Sequence, residues 1–201
     1  IYSNISGALT GENQFEKAIV YSKKALQFTN YPDEQRYRII LHQSIADAYV
    51  NLKQLAAAKP YLDTAVLLTG KFNNGIIKLL MFSTEGNYYD QAREYKKALA
   101  AYHMAYQYAD SNNNTYLKAE AADNLAAIYY KQKNYPEASR YATEANKIAL
   151  SLNHLKVAAS TFNTLKNTAE AKGDYKSALY YAEQYKIYAD SATNEKKKKT
   201  T

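Results

Sequence analysis

The amino-acid sequence predicts an all-α protein, a right-handed superhelix of about five helical hairpins with a period of 40 residues. Two observations lead to this prediction: turn-forming residues are scarce, and the chain repeats itself. Only 6 Gly and 3 Pro occur in 201 residues, too few for the many turns of a β protein. Hydrophobic residues make up 47% of the chain and charged residues 22%, a balance typical of chains that fold.

The repeat is clearest in the second helix of each hairpin. Positions spaced by 40 residues are all alanine: Ala18, Ala58, Ala98, Ala138 and Ala178. Large side chains lie three residues before them: Phe15, Leu55, Tyr95, Tyr135 and Tyr175. Further small and large columns return to the same face of a helix with about 3.6 residues per turn, so this helix is amphipathic. The alanines allow two helix backbones to approach closely at a crossing.

A second apolar stripe with the same period marks the first helix of each hairpin, as at Ile45, Leu125 and Leu165. We expect first helices at about 1–10, 33–52, 75–92, 115–132 and 155–172. The second helices follow at about 14–29, 54–69, 94–110, 135–151 and 174–192. Asn134 and Asp174 are candidate N-caps, because their side chains can accept hydrogen bonds from the first backbone amides of a helix.

The pattern divides the chain into a solenoid over residues 1–190, whose first repeat is truncated, and a charged tail or linker helix over 191–201. The chain starts at Ile1 without a methionine or a signal-peptide pattern. No stretch approaches the ~20 apolar residues of a membrane-spanning helix. We therefore expect a fragment of a longer protein, in which any contact with a membrane is made by a segment outside this chain.

Charge and chemistry exclude several functional classes. Lys and Arg exceed Asp and Glu by 26 − 19 = +7, and residues 195–199, one Glu and four Lys, supply +3 of that total. The remaining +4 is too dilute for a nucleic-acid-binding surface, so we expect no nucleic acid as a partner. There is no Cys, and His42, His103 and His154 lie at different phases of the repeat. The sequence therefore predicts no enzyme, no cofactor and no metal site, and surface or partner-contact positions for the three histidines.

These columns resemble the tetratricopeptide repeat (TPR) family. Its pattern of large, small and tyrosine residues is matched by Leu125, Ala126, Tyr129, Tyr135, Ala138 and Ala145. The unit that starts at Ile45 fits as well, through Ala46, Tyr49, Leu55, Ala58 and Ala65. The period of 40 residues exceeds the usual 34, which indicates longer helices and a different superhelical pitch.

The resemblance implies a ligand-binding groove formed by first-helix positions. On this chain those positions are Gln43, Asp47, Asn51, Ser83, Asn87, Gln91, Asp123, Tyr130, Lys131, Asn163, Asn167 and Glu170. Amide side chains donate and accept hydrogen bonds, so they can pair with a peptide backbone of any sequence. Tyr130 follows the column residue Tyr129, which leaves one ring of the pair for the groove. The alternative is that these residues form ordinary solvated helix faces.

The C-terminal segment resembles the exit helix of bacterial membrane-tethered TPR sensors, through Asp190, Ser191, Asn194 and Glu195 and the basic run that follows. The leading hypothesis is a non-catalytic module that binds a protein or peptide segment in its concave groove, as the periplasmic or extracytoplasmic sensor portion of a bacterial signal-transduction or transcription-regulatory protein. One alternative is a scaffold that forms a homodimer through its terminal repeats. Another is a cytoplasmic regulator that binds a peptide or a nucleic acid.

Overall fold

The computed structural model describes residues 2–29, 34–70 and 74–200, with the side chains of residues 2–4 and 196–200 excepted. These residues form α-helices and no strand, which confirms the predicted all-α class. The helices are α1 (Tyr2–Gly11), α2 (Phe15–Leu26), α3 (Gln35–Asn51), α4 (Leu55–Gly70), α5 (Gly75–Gln91), α6 (Tyr95–Ser111), α7 (Thr115–Lys131), α8 (Tyr135–Ser151), α9 (Leu155–Ala171) and α10 (Tyr175–Thr200).

The observed helices agree closely with those predicted, except at the C terminus. There α10 continues to Thr200, whereas the prediction ended the helix near residue 192. The sequence from Tyr175 onward contains neither Gly nor Pro, so no residue interrupts the helix. The predicted helix starts at residues 1 and 33 lie outside the described residues.

The contacts divide the chain into two compact units, Ile1–Tyr108 (unit 1) and Ala109–Thr201 (unit 2). In unit 1, α2 lies between α1 and α3, and α3 packs against both α4 and α5. In unit 2, α7 packs against α8 and α9, and α9 packs against α8 and α10. Within each unit the hairpins therefore stack in sequence order, with their first helices side by side.

The turns between helices share one backbone geometry. Each of the seven connections whose residues are all described contains one residue with positive φ: Asn13, Lys53, Arg93, Asn113, Lys133, Asn153 and Gly173. In the turn after α7, the backbone N–H of Asn134 donates to the Tyr129 carbonyl at 2.9 Å, which is the Schellman pattern of helix termination. Gly173 has φ 76°, and the other turn residues adopt the left-handed region at φ 53–61° although they carry a Cβ. That conformation costs a residue other than glycine roughly 1–2 kcal/mol.

Replacing Lys133 with glycine should therefore stabilise the protein by about 0.5–1 kcal/mol, because relief of the left-handed conformation outweighs the backbone entropy that glycine loses on folding. Gln132→Gly is the matched control, since Gln132 has φ −84° and gains nothing from glycine. Urea unfolding of the two variants measures both effects. Equal destabilisation by both substitutions would contradict the assignment of strain to Lys133.

The alanine column lies at the predicted helix crossings. All five of its members are buried, with exposed fractions between 0% and 5%. Ser6 of α1 donates a hydrogen bond to the Ala18 carbonyl at 3.1 Å, which shows how closely the two backbones approach there. The Asn134 and Asp174 side chains accept hydrogen bonds from Glu137 N and Ser177 N, so both predicted N-caps are confirmed.

Two further repeat columns face each other where the two helices of a hairpin pack. The first helix carries a small residue there, and the residue on the second helix varies in size from hairpin to hairpin. Ala46 and Leu62 share one buried cluster in the second hairpin of unit 1. In the next hairpin, formed by α5 and α6, Gly86 lies under the ring of Tyr102, and a Cβ at position 86 would overlap that ring. Tyr102 is 2% exposed, so the ring is enclosed. Residue size on one helix therefore compensates for size on the other.

No helix in the described ranges combines the length and apolar character that crossing a membrane requires.

Candidate functional site

The predicted site residues lie on the first helices of successive hairpins. We call the polar surface of α3 and α5 the unit-1 face; its predicted members are Gln43, Asp47, Asn51, Ser83, Asn87 and Gln91. We call the corresponding surface of α7 and α9 the unit-2 face; its predicted members are Asp123, Tyr130, Lys131, Asn163, Asn167 and Glu170. In each unit the two first helices contact each other, so each face is continuous across two hairpins.

A hydrogen-bonded network crosses the unit-1 face. The Asn87 Nδ2 atom on α5 donates to Asp47 Oδ1 on α3 at 3.4 Å. The Asn51 Nδ2 atom donates to Asp47 Oδ2 at 3.3 Å. The Tyr102 hydroxyl donates to Asn87 Oδ1 at 2.7 Å. The Asn87 amide is thus held from both ends, with its nitrogen directed towards α3 and its oxygen held by the second helix α6.

Gln43 joins the same two helices one turn or more before this network. Its Nε2 atom donates to Thr84 Oγ1 at 2.7 Å. Thr84 is 1% exposed and its hydroxyl donates to the Leu80 carbonyl, so this contact anchors the Gln43 amide to the buried part of α5. A shallow, mostly apolar depression lies beside it, too small to hold a water molecule and lined by Ile39, Ile40, Gln43, Ile77, Leu80 and Met81. Polar and apolar groups therefore adjoin on the unit-1 face.

Ser83 and Gln91 belong to the same face without joining the network. Ser83 is half-buried between the positions of Gln43 and Asn87, and Gln91 is exposed at the end of α5. Sequence reasoning missed Tyr102, which belongs to a second helix and orients Asn87 from behind. The sequence does contain a sign of this contact. Gly86 and Tyr102 occupy the repeat columns of Ala46 and Leu62, so a smaller residue on the first helix coincides with a larger one on the second.

Asp123 is the unusual residue of the unit-2 face. The residue is half-buried, but its Oδ1 atom is sealed from solvent and accepts no hydrogen bond, the only buried side-chain oxygen or nitrogen of this kind among the described residues. The pKa of Asp123 is raised from 3.8 to about 7. Burial is the largest cause and the Glu120 charge adds to it, whereas the Ser160 hydrogen bond and the Lys156 charge act in the opposite direction.

His154 lies beside Glu120. Its ring stacks on Tyr116 with 4.3 Å between centroids, and its Nε2 atom lies 3.3 Å from Glu120 Oε1. The side chain is 9% exposed, so the predicted surface position for His154 is wrong. Tyr116 is 38 residues earlier in the chain, and the stacking that encloses the histidine arises only when α7 and α9 pack.

The other predicted members of the unit-2 face are spread along it. Asn163 and Asn167 are half-buried on α9, and Lys131 and Glu170 are exposed at the ends of their helices. The Tyr130 ring is half-buried, 5.9 Å from the ring of Tyr135 between centroids, so it contacts its own hairpin. The structure brings Asp123 against Ser160 of α9, and it leaves the asparagines as separate polar groups.

The faces offer hydrogen-bond donors, acceptors and charges, carried by amides, carboxylates and tyrosine rings. In the part of the chain that the structure describes, no group of three or more His, Asp or Glu side chains converges in a way that could hold a metal ion.

Two segments of the chain match family models of the tetratricopeptide repeat, residues 41–72 and residues 119–155. These matches support the tetratricopeptide repeat family. They contain the two units whose residue columns carried the resemblance, and they include the first-helix residues Gln43, Asp47, Asn51 and Asp123. A TPR fold is typically a non-catalytic protein-interaction module.

Solved structures share the fold. A signal transduction ATPase with numerous domains (STAND) from Pyrococcus horikoshii, which has a TPR sensor, aligns with 98% of this chain at 21% identity and a TM-score of 0.80. A Rap protein complexed with Competence and Sporulation Factor aligns with 94% at 19% identity and a TM-score of 0.82. Nearly identical TPR-like repeats from Podosopora anserina align with 95% at 14% identity, a TM-score of 0.68 and 94% coverage of that chain.

The chain spans 30% of the Pyrococcus protein and 53% of the Rap protein. At these identities the likeness shows a common fold. No curated protein sequence gives a significant match.

Proposed function

We propose that this chain is a non-catalytic module that binds an extended peptide or protein segment on its first-helix faces. The observation that carries this proposal is the held amide of Asn87. Its nitrogen is directed to Asp47 and its oxygen to Tyr102, so the side chain is oriented before any ligand arrives. A pre-oriented side chain loses less conformational entropy on binding, and an amide pairs with the N–H and C=O groups of a peptide backbone.

The apolar surface beside Gln43 supports an extended ligand. A peptide whose backbone pairs with amides on this face can lay an apolar side chain over the half-buried Ile40 and Leu80, so that apolar surface leaves water on both sides. This contact favours a sequence with at least one aliphatic or aromatic residue.

The wider role we propose is that of the sensor portion of a bacterial signalling or transcription-regulatory protein, outside the cytoplasmic membrane and attached to it through a segment beyond this chain. Two structural neighbours support a regulatory setting, since one contains a TPR sensor and another is complexed with Competence and Sporulation Factor. The resemblance at Asp190, Ser191, Asn194 and Glu195 supports the membrane-tethered form.

A selection of random displayed peptides against the purified chain tests the proposal. Peptides that bind should lose affinity by about tenfold when Asn87 or Asn167 is replaced with alanine, the loss expected for removal of a well-placed hydrogen bond. Tyr102→Phe should weaken peptides on the unit-1 face by a few fold, because it removes the donor that orients Asn87 and retains the ring.

Gln107→Ala is the matched control, because it removes an exposed amide from the second helix α6. Isothermal titration of each selected peptide against the four variants gives the affinities. Selected peptides that bind Asn87→Ala and Asn167→Ala as tightly as the parent protein would refute binding on these faces.

A scaffold function is the second candidate, and α10 favours it. Leu179, Tyr180 and Ile187 are 64%, 54% and 55% exposed and lie on one side of the helix, within an arc of about 100°. An exposed apolar surface at the end of a repeat array promotes association. Sedimentation of the parent protein and of Leu179→Asp/Ile187→Asp measures this: concentration-dependent dimers that the double substitution abolishes would favour the scaffold.

A further inference from the structure

Charged residues alternate with the exposed apolar residues on the outward side of α10. Seven exposed residues form one strip there, which we call the outer strip: Lys176, Leu179, Tyr180, Glu183, Lys186, Ile187 and Asp190. At 3.6 residues per turn they fall within an arc of about 120°. Its two lysines, its glutamate and its aspartate form no ion pair with any residue that the structure describes. The strip therefore combines apolar side chains with balanced charges that have no partner within the chain.

A further hairpin of the same repeat does not fit against α10. Tyr185 occupies a repeat column that holds alanine in every earlier second helix: Ala25, Ala65, Ala105 and Ala145. These alanines are buried, and Ala65 shares a cluster with Ile77 and Met81 of the next first helix, α5. A tyrosine ring overfills a position where helix packing accommodates a methyl group. A partner of α10 therefore has a geometry other than that of the next repeat.

The outer strip is complementary to a second copy of itself in the opposite direction. In an antiparallel helix pair with its two-fold axis at Glu183, residues equally far before and after Glu183 face each other. Lys176, seven residues before, faces Asp190, seven residues after, on the second copy. Leu179 faces Ile187 in the same way, at four residues from Glu183. The symmetric pair thus has an ion pair and an apolar contact on each side of its axis.

The remaining residues of the outer strip also find counterparts in this register. Tyr180 faces Lys186 of the second copy, which allows a cation–π contact. The two Glu183 side chains meet near the axis, and each lies about 4.5 Å along the axis from Lys186 of the other copy. Two glutamates and two lysines then surround the axis, so the charges there are balanced.

Other arrangements of the same two helices are less complementary. A parallel pair places every residue against its own copy, so that Lys176 faces Lys176 and Asp190 faces Asp190. An antiparallel pair shifted by one heptad towards the C terminus sets Glu183 against Asp190. The opposite shift places Ile187 and Asp190 beyond the first residue of the other copy's α10. The charge pattern therefore selects the antiparallel register centred on Glu183.

We propose that two copies of this chain associate through the outer strip of α10, as an antiparallel helix pair with its two-fold axis at Glu183. The inference rests on the scaffold function proposed above and adds the partner, the direction and the register. A dimer carries two copies of each first-helix face, so a ligand with two binding segments gains affinity through effective concentration.

Charge reversal tests the proposed ion pair. Lys176→Glu and Asp190→Lys each place like charges against each other at two symmetric positions, and we expect each to weaken the dimer by about tenfold. Lys176→Glu/Asp190→Lys exchanges the two charges and should restore the affinity of the parent protein. Lys147→Glu is the matched control, because Lys147 is exposed on α8, outside the outer strip. Sedimentation equilibrium between about 1 and 200 µM covers the range expected for an interface of one helix pair.

Introduced cysteines test the direction and the register, and the parent chain contains no cysteine that would interfere. A disulfide requires Cα atoms within about 7 Å. With diamide as the oxidant, Glu183→Cys should therefore give a linked dimer. Lys176→Cys alone should not, because its two copies lie about 20 Å apart along the helices. A mixture of Lys176→Cys and Asp190→Cys should give linked dimers again.

The outcomes separate this inference from the scaffold function. Dimers that Leu179→Asp/Ile187→Asp abolishes, but that tolerate both charge reversals and become linked through Lys176→Cys alone, would leave the scaffold standing and overturn the antiparallel pair. A parent protein that stays monomeric throughout, with no link through Glu183→Cys, would overturn both. Peptide binding on the first-helix faces is measured independently of either result.

Discussion

Replacing Gly86 with alanine is expected to destabilise the protein, although alanine is the better helix former. The new Cβ would overlap the ring of Tyr102, which is enclosed and has to move. Overpacking of this kind costs about 1–3 kcal/mol, and the higher helix propensity of alanine returns up to about 1 kcal/mol. We expect a net loss of about 1–2 kcal/mol, measured by denaturant unfolding.

The chain itself suggests the compensating change. In the preceding hairpin the same two columns hold Ala46 and Leu62, which pack in one buried cluster. Gly86→Ala/Tyr102→Leu recreates that pair, and it should be more stable than Gly86→Ala alone. Tyr102→Leu alone is the control, because it separately removes the hydroxyl that bonds Asn87. An equal cost of Gly86→Ala in the parent protein and in Tyr102→Leu would show that the ring overlap is not the cause.

Replacing Asp123 with asparagine should remove most of the loss of stability that the parent protein shows between about pH 4 and 7, and raise stability at neutral and alkaline pH. The pKa of Asp123 is about 7 in the folded protein and 3.8 when unperturbed. Between these values the unfolded chain loses the proton and the folded one keeps it, so the parent protein loses stability as pH rises. A difference of three pKa units corresponds to about 4 kcal/mol in the free energy of unfolding, and the parent protein has lost this amount in full above about pH 7.

Denaturant unfolding of the parent protein and of Asp123→Asn at several pH values measures this effect. The two should differ most near pH 8 and converge below pH 4. Asp47→Asn is the matched control, because Asp47 accepts hydrogen bonds from Asn51 and Asn87 and its replacement should lower stability. Identical pH profiles for the parent protein and Asp123→Asn would contradict the raised pKa.

The sequence predicted the helices and the candidate faces. It did not reveal the contacts that orient the side chains on those faces. Asn87 and Asp47 belong to the same repeat column, 40 residues apart, so their meeting on adjacent first helices follows from the period. Tyr102 was missed because its contact with Asn87 depends on the small residue at Gly86 and on the rotamer of the ring. His154 was misplaced because its burial depends on Tyr116 of another helix.

The sequence by itself determined the period, the helices and the alanine crossings, since these depend on residue size and spacing that recur along the chain. Only the tertiary structure decided which polar groups find partners: Asn87 has one at each end of its amide, and Asp123 lacks one at Oδ1. The physical reason is that a hydrogen bond requires two atoms within about 3 Å and in line. That geometry is set by how two helices cross and by side-chain rotamers, neither of which a residue pattern specifies.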